Sequence, residues 1–275
     1  MEDELGDVLD KAIRHAGFTE QDLAARAQVD PGRLRDVIDY RGTFDATELN
    51  RLAEVLGLNA AGLAAVATGR YPLPEASGLP FCLYPLRMAY GIGVANAYVV
   101  ADCSSESGVL FDCGTDPDAL RRVWPSRIKQ LEAVFLTHYD TEHIGGLNEV
   151  RLRYPGTPLF GPGAAHAPAS VVALQDGAAL EVAGLSIRVW HTPGHAESHH
   201  CYLVSSTRAK GRKPLLVTGD LLFAGSIGGC YFCRERLTKS LRRICRDVPP
   251  DTVVAPGHGP LTTIKNERAF NPFVL

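Results

Sequence analysis

Four short polar motifs, each placed directly after an apolar segment, constrain the fold of this chain more than any other feature. They occupy residues 137–146 (THYDTEHIGG), 191–195 (HTPGH), 218–220 (TGD) and 256–259 (PGHG). Short apolar segments of this kind are typical of β-strands, and side chains that follow such strands converge on one edge of a sheet. Imidazole and carboxylate groups are common ligands of hydrolytic metal ions, and the glycines let the backbone come close to such a site. The sequence therefore predicts a metal centre at a sheet edge.

The order of these motifs, read as THxxxxHxGG, HTPGH, TGD and PGHG, resembles the metallo-β-lactamase superfamily. Further matches resemble its glyoxalase II-like hydrolases: residues 111–114 (FDCG) upstream, and 262–263 (TT), 267–268 (ER) and 271–273 (NPF) downstream. The resemblance covers about residues 81 to 275. It implies an α+β fold, namely an αββα sandwich with its metals at the sheet edge.

The resemblance also assigns roles to individual positions. It places Asp220 on the carboxylate that bridges two metals, and Asp112 on a supporting position beside the site. The residues that fall on ligand positions of the superfamily are His138, His143, His195, Asp220 and His258.

Two positions depart from the usual motif HxHxDH, because this chain has Asp140 in place of a histidine and Glu142 in place of the aspartate. If both bind metal, one site is His138, Asp140, His195 and Asp220, and the other is Glu142, His143, His258 and Asp220. This set is rich in hard oxygen ligands, which favours iron or manganese without excluding zinc. We expect two divalent metal ions, zinc or iron with manganese as an alternative. If the Glu142 side chain lies outside the site, one ion would bind.

The resemblance implies a metal-dependent hydrolase that acts on a small-molecule ester, thioester or lactone through a metal-activated bridging hydroxide. Asp220 would act by bridging the metals, and Glu142 or Asp140 by orienting the nucleophile. The substrate pocket is expected to include Tyr139, Phe223 and Ser226.

Two other functions stay open. The first is a diiron protein that binds or reduces dioxygen or nitric oxide, because the flavodiiron proteins carry a glutamate at the position of Asp140. The chain has no flavodoxin-like segment to deliver electrons, which counts against it. The second is a metabolite-sensing, DNA-binding regulator, in which residues 1–70 would bind DNA.

Residues 1–70 read as five short helices, and they resemble helix-turn-helix domains of the Cro/repressor type. The motif would be formed by residues 20–27 and 31–40, with Arg33 and Arg35 available to DNA. These 70 residues contain 8 Lys/Arg and 13 Asp/Glu, whereas a nucleic-acid-binding face is normally basic. We therefore expect a helical domain used for packing, dimerisation or shaping the active-site entrance. Residues 71–80 read as a linker, and residues 81–275 as the metal-binding domain.

The predicted elements of that domain follow from apolar patterning. Strands are expected at 95–100, 108–111, 131–137, 179–191, 201–205, 214–218 and 252–255, and helices at 117–131 and 238–246.

The cysteines bear on the cellular setting. All seven are scattered along the sequence and do not form a disulfide framework. With no signal peptide and no apolar run of membrane-spanning length, the expected setting is the cytoplasm, without a membrane. A homo-oligomer is an open alternative to a monomer.

Overall fold

The computed structural model describes residues 1–209 and 211–275, and it begins with five α-helices. Local capping explains where they start, since Asp30, Asp45 and Asn59 each accept a hydrogen bond from a backbone amide of the first turn that follows. Thr19 and Asp22 form a reciprocal capping box. The helices are α1 (Leu5–Ala16), α2 (Glu20–Ala27), α3 (Pro31–Ile38), α4 (Ala46–Leu56) and α5 (Ala60–Ala67).

The five helices pack around a shared hydrophobic core. Each contributes a fully buried leucine, as the helical periodicity of the sequence predicts; these are Leu9, Leu23, Leu34, Leu52 and Leu63. The five predicted helices are therefore confirmed. Arg33 and Arg35, the side chains expected to be available to DNA, form ion pairs with Glu48 and Glu20 at 2.8 and 2.7 Å. DNA binding by this region stays an untested alternative.

Among the described residues, two six-stranded sheets form the centre of the region beyond α5. The first contains β1 (Cys82–Tyr90), β2 (Gly93–Ala101), β3 (Ser107–Phe111), β4 (Gln130–Phe135), β5 (Leu159–Pro162) and β6 (Val171–Leu174), in that spatial order. The second contains β7 (Ala179–Val182), β8 (Leu185–His191), β9 (His200–Ser206), β10 (Leu215–Gly219), β11 (Val253–Pro256) and β12 (Thr262–Thr263), again in chain order across the sheet. The pairs β3–β4, β4–β5, β5–β6 and β10–β11 are parallel.

Alternating side chains of β2 show how the layers form. Tyr98 and Val100 point to the core between the sheets, whereas Val99 points to the opposite face. Helices cover both outer faces, so the predicted αββα sandwich is confirmed. They are α6 (Pro117–Val123), α7 (Thr141–Ile144), α8 (Leu147–Arg153), α9 (Arg234–Asp247) and α10 (Ile264–Phe270).

Two predicted elements differ in length from the observed ones. The helix expected over residues 117–131 ends at Val123, because Trp124 precedes Pro125 and adopts extended backbone angles. The strand expected over residues 179–191 is a hairpin of β7 and β8, which turns at Ala183 and Gly184, both with positive φ. The sequence did not predict β1, β5, β6, β12, α7, α8 or α10.

One disulfide joins Cys82, at the start of β1, to Cys103, just beyond β2. The sequence did not predict this bond. A single bond is nevertheless consistent with the prediction that the cysteines do not form a framework of several disulfides. The five remaining cysteines are free: Cys113, Cys201, Cys230, Cys233 and Cys245. Among the described residues, no helix has the length and apolar character needed to cross a membrane.

The helical region packs directly against the C-terminal end of the sandwich. Asn59 caps α5 and also donates hydrogen bonds to the carbonyl oxygens of Pro272 and Ala269, at 2.7 and 3.0 Å. Gly62 lies so close to α10 that a Cβ atom there would come within 2.0 Å of the Phe270 carbonyl oxygen. The contact therefore requires glycine at this point.

Candidate metal centre

The structure brings the four polar motifs together at one edge of the sandwich. The motifs lie beyond the ends of β4, β8, β10 and β11, as expected for side chains that follow strands. Their donor atoms form three groups. In each group all the donor atoms lie within 4.8 Å of one another. These groups are His138, Asp140 and His195; His138, His143 and Asp220; and Glu142, His143 and His258.

Asp220 lies at the middle of the centre and is buried. Its carboxylate oxygens lie 3.3 Å from His143 Nε2, 3.4 Å from His258 Nε2 and 3.7 Å from His195 Nε2. Its backbone amide donates to Nε2 of His199. Asp220 is thus the carboxylate that contacts the largest number of the candidate ligands.

Three of the imidazoles are oriented by a hydrogen bond at the ring nitrogen that faces away from the centre. Nδ1 of His143 lies 3.1 Å from Asp112 Oδ2, and Nδ1 of His195 and His258 lie 2.8 and 2.9 Å from the carbonyl oxygens of Gly229 and Val94. A hydrogen bond at Nδ1 leaves Nε2 available for a metal, which is the usual arrangement around bound ions.

Asp112 supports two motifs at once. It accepts hydrogen bonds from the backbone amide and hydroxyl of Thr137, at 2.7 and 2.9 Å, besides its contact with His143. Asp112 itself has φ of 57°, an uncommon angle for a residue other than glycine. The structure therefore places Asp112 beneath the candidate ligands, and its supporting role stays a prediction.

The electrostatics of the buried part follow from these contacts. Burial alone would raise the pKa of Asp220, but the neighbouring His143 and His258 hold this pKa well below its ordinary value. Burial opposes the charged form of His143, yet Asp220 and Asp112 raise its pKa well above the ordinary value. Burial and the neighbouring His143 lower the pKa of His138. Metal binding requires neutral imidazoles, so it would release protons from this cluster.

Asp140 and Glu142 form the outer part of the centre. Asp140 Oδ2 lies 3.3 Å from His195 Nε2 and 3.6 Å from His138 Nε2, and its side chain is 43% exposed. The neighbouring imidazoles of His138 and His195 lower the pKa of Asp140. Glu142 is half-buried, and its carboxylate contacts the hydroxyl of Thr141 at 3.3 Å.

The residues present fit a metal ion. Among the described residues, His138 Nε2, His143 Nε2 and Asp220 Oδ1 are buried without a hydrogen-bond partner. Buried polar atoms are normally paired, so unpaired atoms that converge on one point need a ligand. The donors are imidazoles and carboxylates, which suit zinc, iron and manganese.

The structure places the three expected pocket residues around this centre in different ways. The ring of Phe223 lies 5.5 Å from the ring of His258, measured between centroids. The Tyr139 hydroxyl donates to the Pro162 carbonyl oxygen, and the buried Ser226 hydroxyl donates to Asp3, so both hydroxyls are engaged within the protein. Their assignment to a substrate pocket stays a prediction.

The N-terminal segment reaches the centre through contacts that the sequence did not identify. Glu2 Oε1 lies 3.7 Å from His258 Nδ1, and Lys11 donates to Asp3 and to the Ile227 carbonyl oxygen. Residues 221–229 form the loop between Asp220 and Gly229, whose carbonyl oxygen contacts His195. Because Lys11 of α1 donates to Ile227 in this loop, α1 holds the loop in place. No sequence signal links these positions, because the partners are far apart along the chain.

Comparison with known proteins gives a consistent family. The family model of the Metallo-beta-lactamase superfamily matches residues 90–258. A hydroxyacylglutathione hydrolase of Pseudomonas entomophila (strain L48) is 31% identical over 177 residues, which are 64% of this chain and 66% of that protein. Two crystal structures are also similar. BLEG-1 B3 metallo-beta-lactamase is 28% identical with a TM-score of 0.55, covering 68% of this chain and 98% of its own. TTHA1623 in a di-iron-bound form is 27% identical with a TM-score of 0.53, and the match covers 68% of this chain and 99% of that protein.

Proposed function

Because the chain belongs to the metallo-β-lactamase superfamily, which consists largely of metal-dependent hydrolases, we propose that it is a metal-dependent hydrolase of a small-molecule ester, thioester or lactone. One observation carries the proposal. Buried imidazole and carboxylate atoms without hydrogen-bond partners converge on a centre whose outer side is open through Asp140. Such a centre holds metal ions and leaves room for water and substrate.

The metal ligands we propose are His138, Asp140, Glu142, His143, His195, Asp220 and His258. Two divalent ions bound there would supply Lewis acidity and lower the pKa of a bound water to about 7. Asp220, oriented by its backbone amide and its histidine neighbours, would hold both halves of the centre together. Asp140 or Glu142, at the open side, would orient the attacking water and accept its proton.

Glutathione thioesters are the first substrates to examine, since the Pseudomonas relative is named as a hydroxyacylglutathione hydrolase. The chain spans about two thirds of that relative, so its specificity does not transfer directly. A lactone and an aryl ester complete the first substrate set.

The test combines metal content with turnover. Protein purified without added metal is analysed by elemental mass spectrometry, stripped with a chelator, reloaded with zinc, iron or manganese, and assayed with the three substrate types. We expect turnover of at least one substrate, lost on stripping and restored on reloading. His143→Ala should abolish metal uptake and turnover, whereas His166→Ala, an exposed histidine, should leave both unchanged. Failure to take up any metal would overturn the proposal.

A diiron redox function is the second candidate, because Asp140 and Glu142 add oxygen donors and a similar structure is described in a di-iron-bound form. Iron in the purified protein, together with consumption of dioxygen or nitric oxide and no hydrolysis, would favour this candidate.

For the helical region we propose a structural role: it braces the loop 221–229 and the C-terminal end of the sandwich.

A further inference from the structure

A cavity of about 660 Å³ lies between the helical region and α9. Its walls come from α1, the end of α4, α9 and the last residues of the sequence. None of the seven candidate metal ligands lines it. The volume falls within the range of about 300 to 1,000 Å³ that is usual for small-molecule sites. The cavity is therefore a separate space from the metal centre.

Helix α9 gives this cavity two chemically different stripes. Leu237, Leu241 and Cys245 recur every four residues and form a buried apolar wall. Thr238, Arg242 and Arg246 occupy the next position in each turn, so they form a parallel polar stripe at the rim. A ligand in this cavity would meet apolar carbon on one side and guanidinium groups on the other.

The rim carries more positive than negative charge. Arg246 contacts the side chain of Asp247 at 2.6 Å, and Arg268 donates to the carbonyl oxygens of Arg246 and Val248. Among residues 1–209 and 211–275, Arg242 forms no ion pair with a side-chain carboxylate. Three guanidinium groups thus face the cavity, and among the described residues no Asp or Glu side chain lines it.

We propose that this cavity binds a small amphipathic anion, namely a free monocarboxylate with an unbranched apolar chain. The chain would lie along Leu56 and Phe273, the half-buried apolar side chains of the wall, and the carboxylate would accept hydrogen bonds from Arg242 and Arg246. Guanidinium groups bind carboxylates strongly through paired N–H donors. The apolar wall disfavours nucleotides and other highly charged ligands, because burying extra charge without partners is costly.

The site is placed to affect the neighbouring loop. Ile227 forms part of the cavity wall, and its carbonyl oxygen accepts a hydrogen bond from Lys11 of α1. The helical region therefore closes one side of the site, which gives this region a binding role distinct from DNA recognition. The inference does not depend on the reaction at the metal centre.

The test measures binding of decanoate to the full chain by calorimetry, with decanol as the uncharged ligand of equal chain length. We expect saturable binding of decanoate that is stronger than that of decanol. Arg242→Gln and Arg246→Gln should each weaken decanoate binding about tenfold, since a hydrogen bond to a charged group is lost, and should leave decanol binding unchanged. Arg242→Glu should reduce decanoate binding further by repulsion.

Arg236→Gln is the matched control, because Arg236 lies on the same helix but stacks on Phe232 outside the cavity. It should bind decanoate as the unaltered chain does. Circular dichroism of each variant checks that the fold is retained, and all substituted side chains are exposed. Absence of saturable binding across carboxylates from hexanoate to dodecanoate would overturn the proposal. Equal binding of decanoate and decanol, insensitive to the arginine substitutions, would overturn it as well.

Discussion

The inner and outer parts of the metal centre are built differently. The inner part, defined as Asp112, His143 and Asp220, is buried and fixed by hydrogen bonds and ion pairs to the fold. The outer part, defined as Asp140 and Glu142, is partly exposed and has few protein contacts. The two departures from the superfamily motif both lie in the outer part. The difference indicates that the fold itself arranges the inner part, and we propose that the outer part sets the choice and number of metal ions.

The largest effect is expected for Asp220→Ala, which removes a carboxylate shared by both halves of the centre. The binding free energy of a metal ion in a four-ligand structural site is about 10–16 kcal/mol, or about 3 kcal/mol per ligand. Loss of one ligand should therefore lower the metal affinity at least about 100-fold. Competition with a chromophoric chelator measures this change. Asp118→Ala, an exposed carboxylate paired with Arg121, is the control and should have no effect. Near-unaltered affinity in Asp220→Ala would remove Asp220 from the centre.

A smaller effect is expected for Asp112→Asn. The asparagine oxygen can still accept from the Thr137 amide, but its nitrogen cannot accept from His143. Loss of such an orienting partner typically costs about 10- to 100-fold in metal affinity. The same chelator competition applies, with thermal unfolding of the metal-free protein as a check on folding. Unchanged affinity would mean that His143 is held by packing alone.

Substitutions in the outer part should change metal number more than stability. Asp140→Ala and Glu142→Ala are each expected to reduce bound metal from about two equivalents to about one. Because both side chains are partly exposed, the free energy of unfolding of the metal-free protein should change by no more than about 0.5 kcal/mol. Elemental analysis measures the equivalents of bound metal, and chemical denaturation measures the free energy of unfolding. Complete loss of metal in either variant would make the outer part as essential as the inner one.

The smallest effect is expected from Asp3→Asn, which acts on the loop 221–229 rather than on a ligand. Asp3 is buried and contacts Lys11 and Ser226, so its charge helps to hold the loop. Weakening these bonds should lower the local opening free energy by about 1 kcal/mol. Hydrogen exchange of the loop amides would show faster exchange, while Asp10→Asn, on the exposed side of α1, should leave it unchanged. Unaltered exchange in Asp3→Asn would argue against bracing by α1.

Sequence patterns predicted the parts of this molecule that are specified locally. The N-terminal helices were found because their caps and apolar periodicity lie within a few residues of each other. The four motifs at the centre were found because each is contiguous and follows an apolar strand. Strand β1 was missed because its exposed and buried residues alternate only from Pro85 to Ala89, and a proline inside a segment argues against a strand.

Contacts between distant residues were not predictable in this way. The disulfide depends on the register of the β1–β2 hairpin, in which Cys82 lies opposite Ala101 and thus near Cys103. The approach of Glu2 to His258 depends on how the helical region docks on the sandwich. Neither sequence neighbourhood contains a signal for its partner.

The contact between Glu2 and His258 has a consequence for biosynthesis. Synthesis proceeds from the N-terminus, and the helical region can fold while later segments are still being made. His138, His143 and His195 then emerge before Asp220 and His258, so a growing chain holds an incomplete set of metal-binding side chains. The centre can close only after His258 has been translated. Metal insertion would therefore follow the synthesis of residues 1–258, and cells starved of the metal should accumulate unloaded protein.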